Sequence, residues 1–181
     1  QALVSGISGR EQELKALLAG DASEKLVALL DSVGKQQIIE TNRNKLVTQE
    51  QNQYSRGQAL FDGRAACFGC HGKQGQGVDG MAPPLANSEW VTGEPERLVK
   101  VLLHGLSGPI KVNGVDYQLP MVMPGLGENS SFSDQDNADI ATYIRNNWGN
   151  TAEAISAEDV KHVRSQTATR SQPYTASELG Q

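Results

Sequence analysis

Cys67-Phe68-Gly69-Cys70-His71 holds both cysteines of the chain and one of its three histidines. At i, i+3 and i+4 the three side chains leave one face of a single helical turn, so two sulfurs and an imidazole converge on one side. A disulfide is a poor use for cysteines this close, because the gain from closing a loop shrinks as the loop shortens. A thioredoxin-like redox pair also uses C-x-x-C, but in a βαβ setting with the first cysteine at a helix N-terminus, and no such setting is legible here. Structural zinc needs four ligands; beyond these three only His104, His162 or a carboxylate remain, none at customary spacing. One reading employs all three groups: covalent attachment of haem, with the thiols bonded to vinyl groups at one edge of the ring and the imidazole reaching the iron.

The rest of the composition is consistent with that reading. The 181 residues include 16 Lys plus Arg against 21 Asp plus Glu, a formal net charge of -5, and 38% hydrophobic residues. That suits one compact domain with a flanking segment. It excludes nucleic acid as a partner, since neutralising phosphates needs a basic surface. No apolar run approaches the ~18 residues that span a bilayer, so no transmembrane segment is expected. The first residue is Gln1, so the numbering is expected to begin after processing or inside a longer polypeptide. Aromatic residues make up only 5%, which suggests that something other than side chains fills part of the interior.

Working outward, residues 1–50 read as a helical flanking segment. Ser8-Gly9-Arg10-Glu11 and Asp21-Ala22-Ser23-Glu24 have capping-box spacing. Leu14, Leu17 and Leu18 follow the first, and Leu26, Leu29, Leu30 and Val33 follow the second. Gly20 and Gly34 are expected to stop these helices, with a third polar helix from about Thr41. Tyr54 to Phe61 reads as an amphipathic helix in which Gly57 marks a close helix crossing, since a glycine there otherwise costs up to ~1 kcal/mol. Residues 72–93 read as a Gly- and Pro-rich loop around a bound group. Glu96 to Leu103 is a short helix with Pro95 in its first turn. Asn113-Gly114 predicts a two-residue hairpin turn within 110–117. Ser133 caps a helix ending at Gly149, with Ile140, Ile144 and Trp148 on one face. Another short helix follows Ser156, and Thr175-Ala176-Ser177-Glu178 is expected to start one more.

These features resemble a class I, mitochondrial-type cytochrome c domain, from about Tyr54 to Asn150. Gly57 and Phe61 match the N-terminal helix of that family, Cys67 to His71 the attachment site, Pro83-Pro84-Leu85 the loop below the haem, and Met123-Pro124 the distal ligand. Ala141 to Asn150 is similar to the last helix of bacterial cytochrome subunits and domains serving quinoprotein and related dehydrogenases. The resemblance implies an all-α fold around one covalent haem c, with the small β-hairpin and the N-terminal helices added to it. The expected division is a flanking segment (1–50), a cytochrome domain (51–150) and a tail with a short helix (151–181). It also implies that Gly57 and Phe61 pack against Tyr143 or its neighbours, and that a Pro83 carbonyl orients His71.

Iron in such a site also takes a sixth ligand. A thioether favours ferrous iron, and Met81 lies too close to His71 in the same loop. Met121 and Met123 cannot both reach the iron from an extended strip. Met123 precedes proline, as the family ligand commonly does; Met121 is the alternative. His104, at a helix end, and His162, in the tail, read as structural or solvated. The cofactor-binding set is therefore Cys67, Cys70, His71, Pro83, Leu85, Tyr117 and Met123, with iron held by His71 and Met123. Tyr117, Trp90 and Trp148 are considered as donors to a propionate. With both axial positions filled, the expected role is an electron carrier, accepting from a dehydrogenase and delivering to another cytochrome or an oxidase. The alternative is a haem enzyme or sensor with a displaceable sixth ligand. Residues 67–150 carry five basic and nine acidic side chains, so the partner is expected to offer a basic face. The resemblance further implies a periplasmic or secreted location. A second expectation is that the chain is the electron-transfer module of a larger dehydrogenase.

Overall fold

A computed structural model describes residues 24–45, 48–118 and 120–180. The capping box at Ser8 and the leucines at 14, 17 and 18 lie outside the described residues. Helix α1 (Glu24–Lys45) is followed by α2 (Thr48–Asp62). Gly34, the expected stop, lies inside α1, and Thr41, the expected start of a separate helix, belongs to the same helix. A lone glycine is tolerated in a helix at about 1 kcal/mol, and no proline or second breaker accompanies it.

Gly57 sits where α2 crosses α6 (Asp134–Arg145). A Cβ at Gly57 would strike the Asp139 carbonyl and come within 2.7 Å of Tyr143 Cβ. Only the missing side chain lets the two backbones meet. Around the crossing, the Tyr143 ring lies 5.1 Å from Tyr54, 5.4 Å from Phe61 and 5.4 Å from Trp148, all at tilted or edge-on angles. On the rim, Arg56 forks onto the buried Asp139 carboxylate at 2.6 and 2.9 Å. The expected packing of Gly57 and Phe61 on Tyr143 is present.

Ser133 caps α6 through the Asp136 amide, and the Asp136 carboxylate accepts from the Ser133 amide in return. Ser156 repeats this box with Asp159 at the start of α7 (Ala157–Gln166). Val160 and Val163 of α7 join the main core with Ile140, Ile144 and α5 (Pro95–His104). Between α2 and α5 in sequence are two four-residue helices, α3 (Phe68–His71) and α4 (Glu89–Thr92). The sequence reading leaves α4 within a loop, because four residues are too few to show a period.

Strands β2 (Ile110–Val112) and β3 (Val115–Tyr117) form the predicted hairpin, with Asn113 and Gly114 at φ 52° and 78°, as its turn requires. A second sheet was not anticipated. It has β1 (Gly105–Ser107) at its centre, antiparallel to β4 (Met123–Pro124) and parallel to β5 (Tyr174–Thr175). Thr175 and Glu178 do cap each other, but they begin a single 3-10 turn, Ser177–Leu179, rather than an α-helix. A second apolar cluster, of Trp90, Val101, Leu106, Ile110, Val112, Tyr174 and Ala176, lies beside this sheet.

Candidate functional site

Between the two clusters is a cavity whose walls are almost wholly apolar. Its empty space, open mouth included, is about 1250 Å³. Cys67, Cys70 and His71 line one side, and Met121, Met123, Pro124 and Leu126 also contribute. The loop from Ala82 to Leu85 and Trp90 complete much of the remainder.

The turn of α3 is set by local backbone bonds. Ala66, at φ 51°, turns the chain, and the Cys70 and His71 amides both donate to the Cys67 carbonyl, at 3.2 and 3.0 Å. Both cysteines are free and half-buried. Burial pushes the Cys67 thiol up to about 11. A dithiol oxidoreductase needs the opposite, a thiolate stabilised near neutral pH. Among the described residues no three His, Cys, Asp or Glu side chains converge as a metal cage, so the donors do not assemble as structural zinc requires.

His71 is buried, and burial lowers its imidazole below the ordinary value against the opposing pull of the Pro83 carbonyl. Its Nδ1 lies 3.0 Å from that carbonyl. With the proton on Nδ1 donated to Pro83, Nε2 is left with a lone pair for a metal. The Pro83 loop is itself anchored. Leu85 and Ala86 amides donate to the Gly75 carbonyl at 2.8 and 2.9 Å. Trp148 packs on Gly75 and donates its indole N–H to the Lys73 carbonyl at 3.2 Å.

Asn150 was missed as a site residue by the sequence reading. Fully buried, it donates from Nδ2 to the Leu85 and Ile144 carbonyls at 3.0 and 2.7 Å, while its Oδ1 accepts from the Asn87 amide at 2.7 Å. It thereby joins the end of α6 to the loop carrying Pro83. An asparagine just beyond a helix-ending Gly149 was the available signal, but its loop partners, Leu85 and Asn87, lie more than sixty residues away.

Leu85 is half-buried against the main core and lines the cavity. Met123 is half-buried and touches both apolar clusters, whereas Met121 is 55% exposed. Tyr117 packs half-buried on the second cluster and is not among the residues lining the cavity. Neither tryptophan has a free N–H for a propionate: Trp90 donates to the Lys111 carbonyl at 2.9 Å, and Trp148 is committed to Lys73. His104 Nε2 pairs with Thr167 Oγ1 at 2.7 Å, and exposed His162 lies 2.9 Å from Gln166 Nε2.

An apolar slot with a thiol pair and an oriented imidazole at one wall fits a covalently tethered porphyrin. The chain belongs to the cytochrome c family, whose description matches residues 54–148, just over half its length. It is similar to cytochrome c-552 of Thermus thermophilus, 36% identical over 120 residues that cover 60% of this chain and 86% of that one. It is also similar to the cytochrome c subunit of the quinone alcohol dehydrogenase of Gluconobacter oxydans, 35% identical over 100 residues, 54% of this chain and 20% of that subunit. The fructose dehydrogenase cytochrome subunit of Gluconobacter japonicus is 32% identical over 114 residues, 60% and 22% respectively. This chain therefore spans about a fifth of those two subunits. Family membership makes it an electron-transfer protein and implies haem c.

Proposed function

We propose that one haem c occupies the cavity, bonded through Cys67 and Cys70, its iron held by His71 Nε2 and Met123, and that the protein relays single electrons from a dehydrogenase to another cytochrome or an oxidase. When bound, the group supplies a one-electron ferric/ferrous couple. The observation that carries the reading is the His71 to Pro83 contact at 3.0 Å, which orients a neutral imidazole at the wall of an apolar cavity that both cysteines share. Each thiol adds across one vinyl double bond, sulfur to one carbon and hydrogen to its neighbour, with no net oxidation. Pro83 and Leu85 hold the proximal side. Met123 is favoured over Met121 because it is half-buried in a paired strand, while Met121 is exposed.

Met81, Met121 and Val122 line the cavity and are 37%, 55% and 54% exposed. They form an apolar rim suited to brief contact with a partner, and the acidic balance of residues 67–150 favours a partner with a basic face. In this reading residues 51–150 are the redox domain, flanked by the helical segment 1–50 and the tail 151–181. A periplasmic or secreted location follows from where covalent haem attachment takes place in bacteria. Among the described residues no helix is long and apolar enough to cross a membrane.

The test is an optical spectrum of both oxidation states, taken with the denatured mass. One macrocycle surviving denaturation and a sulfur-to-ferric-iron band are expected. A colourless protein after expression in a host able to mature such proteins overturns the reading. Rapid cyanide binding by the oxidised form would instead favour a haem enzyme with an open coordination position.

A further inference from the structure

We infer that the C-terminal segment, through Arg170 and β5, is a positioning element for the distal methionine. The inference rests on the assignment of Met123 as axial ligand. In the sheet β4-β1-β5, the central residue Leu106 is paired with Met123 on one side and with Tyr174 on the other. The strand that presents the methionine is therefore one short residue-to-residue step from the tail. Neither β1 nor β4 has length of its own, at three and two residues. Isolated pairs of that size are marginal in water, and a third strand with an apolar face is what usually makes them persist.

The tail is knotted so as to supply that third strand. Arg170 donates to the Gln172 and Pro173 carbonyls at 2.8 and 2.9 Å, reaches both Glu178 oxygens at 3.0 Å, and stacks its guanidinium 3.5 Å from the centre of the Tyr174 ring. Tyr174 is buried, edge-on to His104 at 5.8 Å, and Ser107 Oγ donates to its carbonyl at 3.3 Å. Downstream of Met123 the strip is fixed as well. Gly125 lies so close to Leu103 and His104 that a Cβ there would clash with both, and Leu126 and Gly127 amides donate to the Leu102 and Leu103 carbonyls at 2.8 Å. Arg164 of α7 donates to the Gly127 carbonyl at 2.5 Å and to Asp134 at 2.7 Å. Upstream, by contrast, Met121 and Val122 are exposed. The methionine is thus held from its C-terminal side and through β1, both of which lean on the tail.

A competing ligand gains iron only in the fraction of molecules where the methionine has swung away, so its apparent affinity scales with that fraction. Loss of the tail's support, one or two backbone bonds and the Tyr174 contact, should raise the fraction about tenfold. The experiment uses the full-length holoprotein and titrates the oxidised form with imidazole while following the sulfur-to-iron band. Arg170→Ala and Tyr174→Ala are expected to bind imidazole about tenfold more tightly than the unmodified protein and to lower the reduction potential. Tyr174→Phe should behave as unmodified. Gly57→Ala, at the α2–α6 crossing away from the tail, controls for general destabilisation. If it matches Arg170→Ala in imidazole affinity, the effect is not one of positioning and the inference fails. Unchanged affinity in both Arg170→Ala and Tyr174→Ala overturns it alone. A sulfur band that is absent from the unmodified protein, or that survives in Met123→Ala, overturns the ligand assignment itself, and this inference with it.

Discussion

The same substitution in two helices should have opposite signs. At Gly57, alanine would place a methyl into the Asp139 carbonyl and within 2.7 Å of Tyr143 Cβ. Ordinary carbon contacts lie near 3.5–4.0 Å, so α2 and α6 must separate by about 1 Å or tilt. Separation takes the Tyr54 and Phe61 rings away from Tyr143 and stretches the Arg56 to Asp139 fork. Overpacking of this kind costs about 1–3 kcal/mol, and the contact here is with rigid backbone, which argues for the upper half. Alanine's better helix propensity returns up to about 1 kcal/mol. A net loss of about 1–2 kcal/mol lowers the midpoint of a chain this size by about 2–8 °C. At Gly34 a Cβ meets nothing within 4 Å, so Gly34→Ala should stabilise α1 by about 0.5–1 kcal/mol. The assays are thermal unfolding of the holoprotein for Gly57→Ala and amide hydrogen exchange across residues 24–45 for Gly34→Ala. A Gly57→Ala protein as stable as the unmodified one would refute the claim that the missing side chain sets the crossing.

Further outcomes follow from individual side chains. Arg56→Ala leaves the buried Asp139 carboxylate with Gln135 at 2.7 Å in place of a bidentate cation; because Arg56 is itself half-exposed, the cost should be about 1–3 kcal/mol, measured by denaturant unfolding. Asn150→Ala strips partners from Leu85 and Asn87 and should cost about 2 kcal/mol or more by the same measurement. The Ser156 hydroxyl and amide hold Asp159 below the usual carboxylate range. A depressed carboxylate stabilises the fold above its unfolded value of about 3.9 and loses that contribution as pH falls through the folded value. Ser156→Ala should therefore show less acid-dependent loss below about pH 4, read from unfolding midpoints against pH. Replacing both Cys67 and Cys70 by serine should leave a poorly folded chain; a cooperative thermal transition in that haem-free protein would contradict the role assigned to the cavity.

Much of the helical frame was legible because its signals are local. Ser133 and Ser156 announce their helices within three residues, and Asn113-Gly114 fixes a hairpin on its own. Gly57 was legible through cost, since an interior glycine needs a reason. The attachment turn was legible through spacing alone. What escaped depends on partners distant in sequence. Strands of two or three residues carry no alternation, so the β4-β1-β5 sheet left no trace in Gly105–Ser107 or Tyr174–Thr175. Asn150 looks like any residue beyond a helix end until Leu85 and Asn87 arrive beside it. Gly34 was misleading because a glycine that stops a helix and one that is merely tolerated look alike in a single sequence.

The scarcity of aromatic rings acquires a physical explanation from where those rings lie. Of nine Phe, Trp and Tyr residues, four, Tyr54, Phe61, Tyr143 and Trp148, gather at the α2–α6 crossing and pack on one another. On the other side of Ile140 and Ile144, which with Leu98 and Leu102 line the cavity, the rings form no comparable cluster. Apolar walls of this kind gain transfer free energy and dispersion contacts from an apolar group packed between them. A flat macrocycle tethered at Cys67 and Cys70 would supply those contacts, so cofactor binding and core formation draw on the same side chains. Such coupling requires the two clusters to associate through the bound group rather than directly. The α2–α6 crossing, which makes its own contacts, should then be the part of the fold that persists longest when the group is absent. Hydrogen exchange in the haem-free chain would show slow amides in 54–61 and 138–145 and fast ones in 98–126; uniform protection across both would refute that division.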